Sequence, residues 1–95
     1  MAGKIAVQFF GLMRGRVGTA ALEIETDELP VLDLLRRAEK ETGRSFLDEL
    51  LDRDLGLLTG TIILVDGENI RLRKGLATSV RAGQVVALFS PAGGG

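Results

Sequence analysis

The last regular stretch of this chain, Gln84 to Phe89, reads as a strand whose Val85, Val86, Ala87 and Leu88 run apolar nearly without interruption. Successive side chains of a strand point to opposite sides of a sheet, so such a run suits a central strand buried on both faces. The first stretch has a different character. From Lys4 to Phe10 the side chains alternate, Ile5, Val7 and Phe9 on one face and Ala6, Gln8 and Phe10 on the other, as in a half-buried strand whose outer face Phe10 breaks. With 95 residues there is room for one core, since an independent domain needs roughly 50 residues or more. Everything between the two strands must flank or cover them.

Gly11 to Gly18 is rich in glycine and reads as a turn, after which alternation resumes from Thr19 to Glu25 through Ala20, Leu22 and Ile24, predicting a hairpin. Asp27, Glu28 and Pro30 then signal a helix start. Val31, Leu34, Leu35 and Ala38 fall at i, i+3, i+4 and i+7, and Gly43 stands where a left-handed cap belongs, so one amphipathic helix spans about Pro30 to Thr42. A weaker period through Phe46, Leu47, Leu50 and Leu51, with Ser45 as a cap, predicts a short helix over Ser45 to Asp54. Leu55 to Thr61 reads as an irregular connection whose apolar residues cap the core. Thr61 to Val65 is a strand, Asp66-Gly67 is a strong hairpin signal, and Asn69 to Leu72 should pair back. Lys74-Gly75 turns the chain, and Thr78 to Ala82 crosses to Gly83. The class is α+β; periodicity alone does not give the strand order.

Composition narrows the chemistry. Lys and Arg number 12 against 13 Asp and Glu, a net charge of -1 that attracts neither a phosphate backbone nor an anionic membrane surface. There is no Cys and no His, which removes disulfides, thiolate metal sites, a cysteine nucleophile and the commonest general base. A self-contained enzyme is therefore not expected. The start, Met1 to Ile5, has no long apolar segment, and no stretch approaches the ~20 apolar residues of a membrane span, so the expected location is the cytoplasm.

After the last strand come Ser90, Pro91, Ala92, Gly93, Gly94 and Gly95. Extended at ~3.3 Å per residue, these six could project about 20 Å from the body. Glycines without a Cβ would pass through a narrow channel that reads their backbone, and a terminal glycine carboxylate is an unhindered acyl group. Glycine-rich ends are also commonly linkers. Pro91 favours the first reading, because it denies the chain a further ladder bond and directs it outward.

Three segments together resemble the MoaD/ThiS family of sulfur carriers, in particular the small subunit of molybdopterin synthase. They are Val7-Gln8-Phe9-Phe10-Gly11-Leu12-Met13-Arg14 with Gly18-Thr19, then Leu64-Val65-Asp66-Gly67-Glu68-Asn69-Ile70 with Gly75-Leu76-Ala77-Thr78, and the ending Gly83 to Gly95. The thiamine-pathway carriers generally lack a segment like Ser45 to Gly60, which points to the MoaD side. Gly83-Gln84 departs from the family's usual acidic turn, and Gly93 stands where alanine or threonine is more usual. The resemblance implies a ubiquitin-like β-grasp roll over residues 1–89, a mixed sheet of four to five strands with one main and one short helix, and a flexible diglycine tail over residues 90–95.

It further implies that the Gly95 carboxylate is adenylated by an E1-like (MoeB/ThiF-type) activating enzyme and converted to a thiocarboxylate, with Gly94 threading the channel. No cofactor is expected on this chain. ATP and Mg²⁺ would belong to the partner, since the sequence has no Gly-x-x-x-x-Gly-Lys-Ser/Thr loop. Phe10 and Phe89 match aromatic positions that the family sets against its partner, with Ile70 as a third member, Arg73 beside them and Pro91 and Gly93 at the tail; for either Phe an ordinary core place is the competing reading. Arg71, Arg73, Lys74 and Arg81 form a basic cluster that could meet acidic residues of the activating enzyme or be a solvated face. Asp48, Glu49, Asp52 and Asp54, interrupted by Arg53, read as a solvent face and not a metal site.

The sulfur acceptor implied first is the large subunit of molybdopterin synthase, which the Phe9-Phe10 segment favours. Cysteine synthesis, tRNA thiolation and isopeptide attachment to lysines remain open alongside it. A passive β-grasp binding module is the reading of a different class.

Overall fold

The computed structural model describes residues 3–91. β1 (Lys4–Phe10) and β2 (Ala21–Glu25) form the expected antiparallel hairpin. Their connection is more than a turn, because Leu12–Val17 is a short helix, α1, that buries Met13 and Val17, one helical turn apart. Gly11 and Gly18, both at positive φ, bound it; Gly15 lies inside it, so only two of the three glycines break the chain.

β3 (Glu28–Pro30) leads directly into α2 (Val31–Thr42). Val31, Leu34, Leu35 and Ala38 are fully buried, as their spacing requires, and Gly43 closes the helix in the left-handed conformation with its N–H donated to the Glu39 carbonyl at 2.9 Å. The helix expected over Ser45 to Asp54 shrinks to one 3₁₀ turn, Leu47–Glu49. Ser45 does not cap it. The Glu39 carboxylate of α2 does, accepting from the N–H groups of Phe46 at 2.7 Å and Leu47 at 2.9 Å, and the chain then leaves helical geometry because Leu51 bridges Leu57.

β4 (Ile62–Val65) and β5 (Glu68–Asn69) form the second hairpin through Asp66 and Gly67, at φ 49° and 83°, the positive-φ pair that a tight two-residue turn demands. The return strand is shorter than expected. Ile70–Leu72 winds into a 3₁₀ turn that sends Ile70 into the core. After another such turn, Gly75–Ala77, the segment read as a crossover becomes β6 (Ser79–Arg81), paired antiparallel with β3.

β7 (Val85–Phe89) is central in a sheet of order β2-β1-β7-β4-β5, parallel to β1 and antiparallel to β4. A first and a last strand side by side under one helix make this the β-grasp fold. The expectation of a strand buried on both faces is corrected. Val86 and Leu88 are fully buried, whereas Val85, Ala87 and Phe89 on the other face are only half-buried. One 12-residue helix, about 18 Å long, covers one side of the sheet. The open side presents Ala6, Gln8 and Phe10 of β1, Val85, Ala87 and Phe89 of β7, and Ile62 and Leu64 of β4 in register.

Candidate functional site

The C-terminal end of β7 gathers the most apolar part of that open face. Phe89 pairs with Phe10 on one side and with Ile62 on the other. The two rings stack at 4.7 Å between centroids and 10° between planes. Ile62 is 41% exposed, and Leu12, carried there by α1, 65%. These four side chains, with Gly11, Gly60 and Ser90, line an open groove. Phe9 and Phe46, in contrast, meet edge to face at 5.5 Å inside the core. Two of the four phenylalanines therefore pack the interior, and two form a half-buried surface where the chain leaves the sheet.

Pro91, the last described residue, rests against Gly60. A Cβ built on Gly60, which sits at φ 92°, would lie 3.3 Å from the Pro91 Cβ. The loop that carries Gly60 is held from below, where the buried Thr61 hydroxyl donates to the Leu50 carbonyl at 2.9 Å and the Leu58 N–H donates to the same oxygen at 2.9 Å. This connection does more than cap the core. It braces the exit of the tail, a role invisible in sequence because Gly60 and Pro91 are brought together only by the pairing of β4 with β7. Gly93, Gly94 and Gly95 lie outside the described residues.

The other sequence-derived candidates do not join this surface. Ile70 is fully buried, because the 3₁₀ turn after β5 points it inward, and it cannot meet a partner. Arg73 is ion-paired with Glu68 next to the Asp66 turn, and that turn receives the start of β7, with the Val85 N–H donated to the Asp66 carboxylate at 2.8 Å. It thus lies at the opposite end of β7 from Phe89, four residues or about 13 Å of strand away. The basic cluster is split. Arg71 donates to the Leu58 carbonyl at 3.2 Å, whereas Arg73, Lys74 and Arg81 border a polar cleft with Thr78, Ser79 and Gln84. Arg81 there faces Glu28 at 3.8 Å. Gln84, the departure from the family's usual acidic turn, accepts from the Arg81 N–H at 2.8 Å and so closes that turn with its amide oxygen.

The acidic run also has structural work. Arg16 of α1 donates to Asp48 at 3.1 Å, to Glu49 at 2.7 Å and to the Ser45 carbonyl at 2.9 Å, and Asp52 accepts from the N–H groups of Asp54 and Gly56. Among the described residues no cluster of acidic side chains is placed to hold a metal ion, and no helix is long and apolar enough to cross a membrane.

The ThiS family matches residues 7–95. The chain belongs to that family. A protein of Archaeoglobus fulgidus assigned as a sulfur carrier is 36% identical over 74 residues, covering 78% of this chain and 83% of the relative. Among solved structures, the small archaeal modifier protein 1 of Methanosarcina acetivorans superposes with a TM-score of 0.78 at 23% identity, over 100% of this chain and 99% of the other, a likeness of fold. A Pyrococcus furiosus protein assigned as subunit 1 of the molybdopterin converting factor gives a TM-score of 0.70 at 26% identity, over 96% and 100% of the two chains. The two structural likenesses extend over 100% and 96% of this chain.

Proposed function

We propose that this ThiS-family chain carries sulfur as a C-terminal thiocarboxylate on Gly95 and delivers it in molybdopterin biosynthesis. The observation that carries the reading is the convergence at one end of β7 of the tail exit, braced by Gly60 against Pro91, and the apolar groove of Phe10, Leu12, Ile62 and Phe89. A partner that docks on the groove holds the tail root in a fixed place, so that the terminal carboxylate reaches a buried active site.

The chemistry follows from the acyl group. A carboxylate is a poor electrophile; attack of its oxygen on the α-phosphorus of ATP releases pyrophosphate and leaves an acyl-adenylate with AMP as a good leaving group. The terminal sulfur of a persulfide then forms the C–S bond as AMP departs, giving an acyl disulfide that keeps the persulfide's S–S bond; a second thiol attacks the donor-side sulfur of that bond, forming a disulfide with the donor and releasing the thiocarboxylate. ATP and Mg²⁺ are held by the E1-like partner. This chain supplies the carboxylate, the narrow Gly94 and the docking surface. The sulfur goes to a pterin acceptor on a large synthase subunit, the reading that the Phe9-Phe10 segment and the likeness to the Pyrococcus furiosus subunit support.

The test is intact-mass analysis of the chain after incubation with the E1-like enzyme of the same genome, ATP, Mg²⁺ and a persulfide donor. An oxygen-for-sulfur increment at Gly95, followed by transfer to a pterin in the presence of the large subunit, is the expected result. A ladder of conjugates on lysines would make the chain a protein modifier. An unchanged mass beside an active enzyme would make it a passive module.

A further inference from the structure

Arg71 parts from the rest of the basic cluster. The Asn69 side-chain oxygen accepts from the Arg71 N–H at 2.9 Å and caps the 3₁₀ turn that buries Ile70. From that turn the Arg71 guanidinium reaches the Leu58 carbonyl, to which its Nη2 donates at 3.2 Å. The Leu58 oxygen accepts as well from the Thr61 N–H at 2.9 Å, closing a β-turn over residues 58–61. Below it, the Leu50 carbonyl accepts from the Leu58 N–H and from the Thr61 hydroxyl, both at 2.9 Å. Thr61 is 2% exposed and Leu50 is fully buried, so these two bonds are anchored in the core. The turn is thus tied to the interior by Thr61 and to the neighbouring 3₁₀ turn by Arg71. Gly60 occupies its third position at φ 92°, where positive φ favours glycine, and is the residue against which Pro91 rests.

A tail root needs such a seat. Beyond Pro91 the sequence holds Ala92 and three glycines, and glycine has too little conformational preference to supply a direction of its own. Four extended residues reach about 13 Å, so a swing of about 10° at Pro91 would move the far end by about 2 Å. Misplacing reacting atoms by about 1 Å is enough to slow a reaction by up to about a hundredfold. A root fixed before binding also lessens the ordering that a partner must impose. Because Thr61 already satisfies the Leu58 oxygen, the exposed Arg71 adds orientation more than stability.

We propose that Arg71 and Thr61 are positioning residues for activation of the C-terminal carboxylate. They clamp the turn over residues 58–61 so that Gly60 holds Pro91, and with it the root of the tail, in one direction as the carboxylate enters the adenylating site. Neither side chain touches the reacting atoms. The inference rests on the sulfur-carrier reading for the reaction concerned, and its test reads the clamp and the reaction separately.

In the free chain, nuclear Overhauser cross-peaks between the Gly60 α-protons and the Pro91 ring report the seat. Thiocarboxylate formation with the E1-like enzyme, ATP, Mg²⁺ and a persulfide donor reports the reaction. R71A and T61V should each weaken the cross-peaks and lower kcat about three- to tenfold, with KM changed by less than about twofold because the apolar docking face is untouched. T61S, which keeps the hydroxyl, and R73A, which removes a nearby charge paired with Glu68, should match the wild type. In a P91G background, where the seat has nothing to hold, R71A and T61V should lower kcat no further, since residues that act through one contact are not additive. Circular dichroism checks that each variant keeps its fold. Losses in kcat that multiply with that of P91G, or cross-peaks and kcat unchanged in both R71A and T61V, would overturn the proposal. A wild-type chain that is never activated would overturn the carrier reading instead, and cross-peaks that survive R71A and T61V would then overturn the clamp as well.

Discussion

The two ends of β7 are built to opposite specifications. At its start, polar groups consume one another: Asp66 accepts from the backbone of Val85, Gln84 closes its turn onto Arg81, Arg73 pairs with Glu68 and Arg81 faces Glu28. At its finish, Phe10, Phe89, Ile62 and Leu12 face water. An exposed ion pair contributes little to stability and leaves little charge for a partner, whereas an apolar patch gains most when something covers it. One strand thus has a polar end whose groups are paired within the molecule and an apolar end left open, and the chain leaves the sheet through Ser90 and Pro91 at the second.

The sharpest break of this contrast is at the tail itself. Gly94→Val or removal of Gly95 should abolish thiocarboxylate formation with no change in melting temperature, read by intact mass and thermal denaturation. Next comes the groove. Phe89→Asp should weaken docking more than tenfold, the scale of a central interface anchor, while lowering stability by about 1–2 kcal/mol, the worth of a half-buried aromatic on the sheet; Kd and urea denaturation separate the two. Gly60→Val should cost about 1–2 kcal/mol because a β-branched residue resists positive φ, and should slow activation a few-fold by displacing Pro91 from its rest. Kinetics under saturating enzyme would detect the second effect. Smallest is Arg73→Ala at the other end, expected to change stability by less than about 1 kcal/mol and activation not at all. A large activation defect there would erase the distinction between the ends.

Much of this could be read in advance. The stripe Val31, Leu34, Leu35 and Ala38 and the Gly43 cap marked α2 to within a residue, because a 3.6-residue period and a left-handed cap are local properties. Asp66-Gly67 marked its hairpin for the same reason. Where the reading slipped, a distant residue had intervened. Glu39 caps a turn seven residues away, and Leu51 is drawn off its helical path by Leu57. Ile70 looked like a surface residue beside Asn69 until the 3₁₀ turn rotated it inward. The cluster of Arg71, Arg73, Lys74 and Arg81 looked single because the four are near in sequence, but the chain bends between them and acidic partners from β3 and β5 claim Arg73 and Arg81.

By itself the sequence determined the class of the fold, its principal helix, its two hairpins, its apolar final strand and the absence of the side chains on which most enzymes rely, since each depends on residue type and short-range spacing. Which apolar residues of that last strand stay open to a partner was decided only by tertiary structure. One helix can cover one face of a sheet, and the strand cannot tell from its own residues which face that will be. Val86 and Leu88 were covered; Phe89, with Phe10 and Ile62 on either side of it, was left half-buried at the root of the tail.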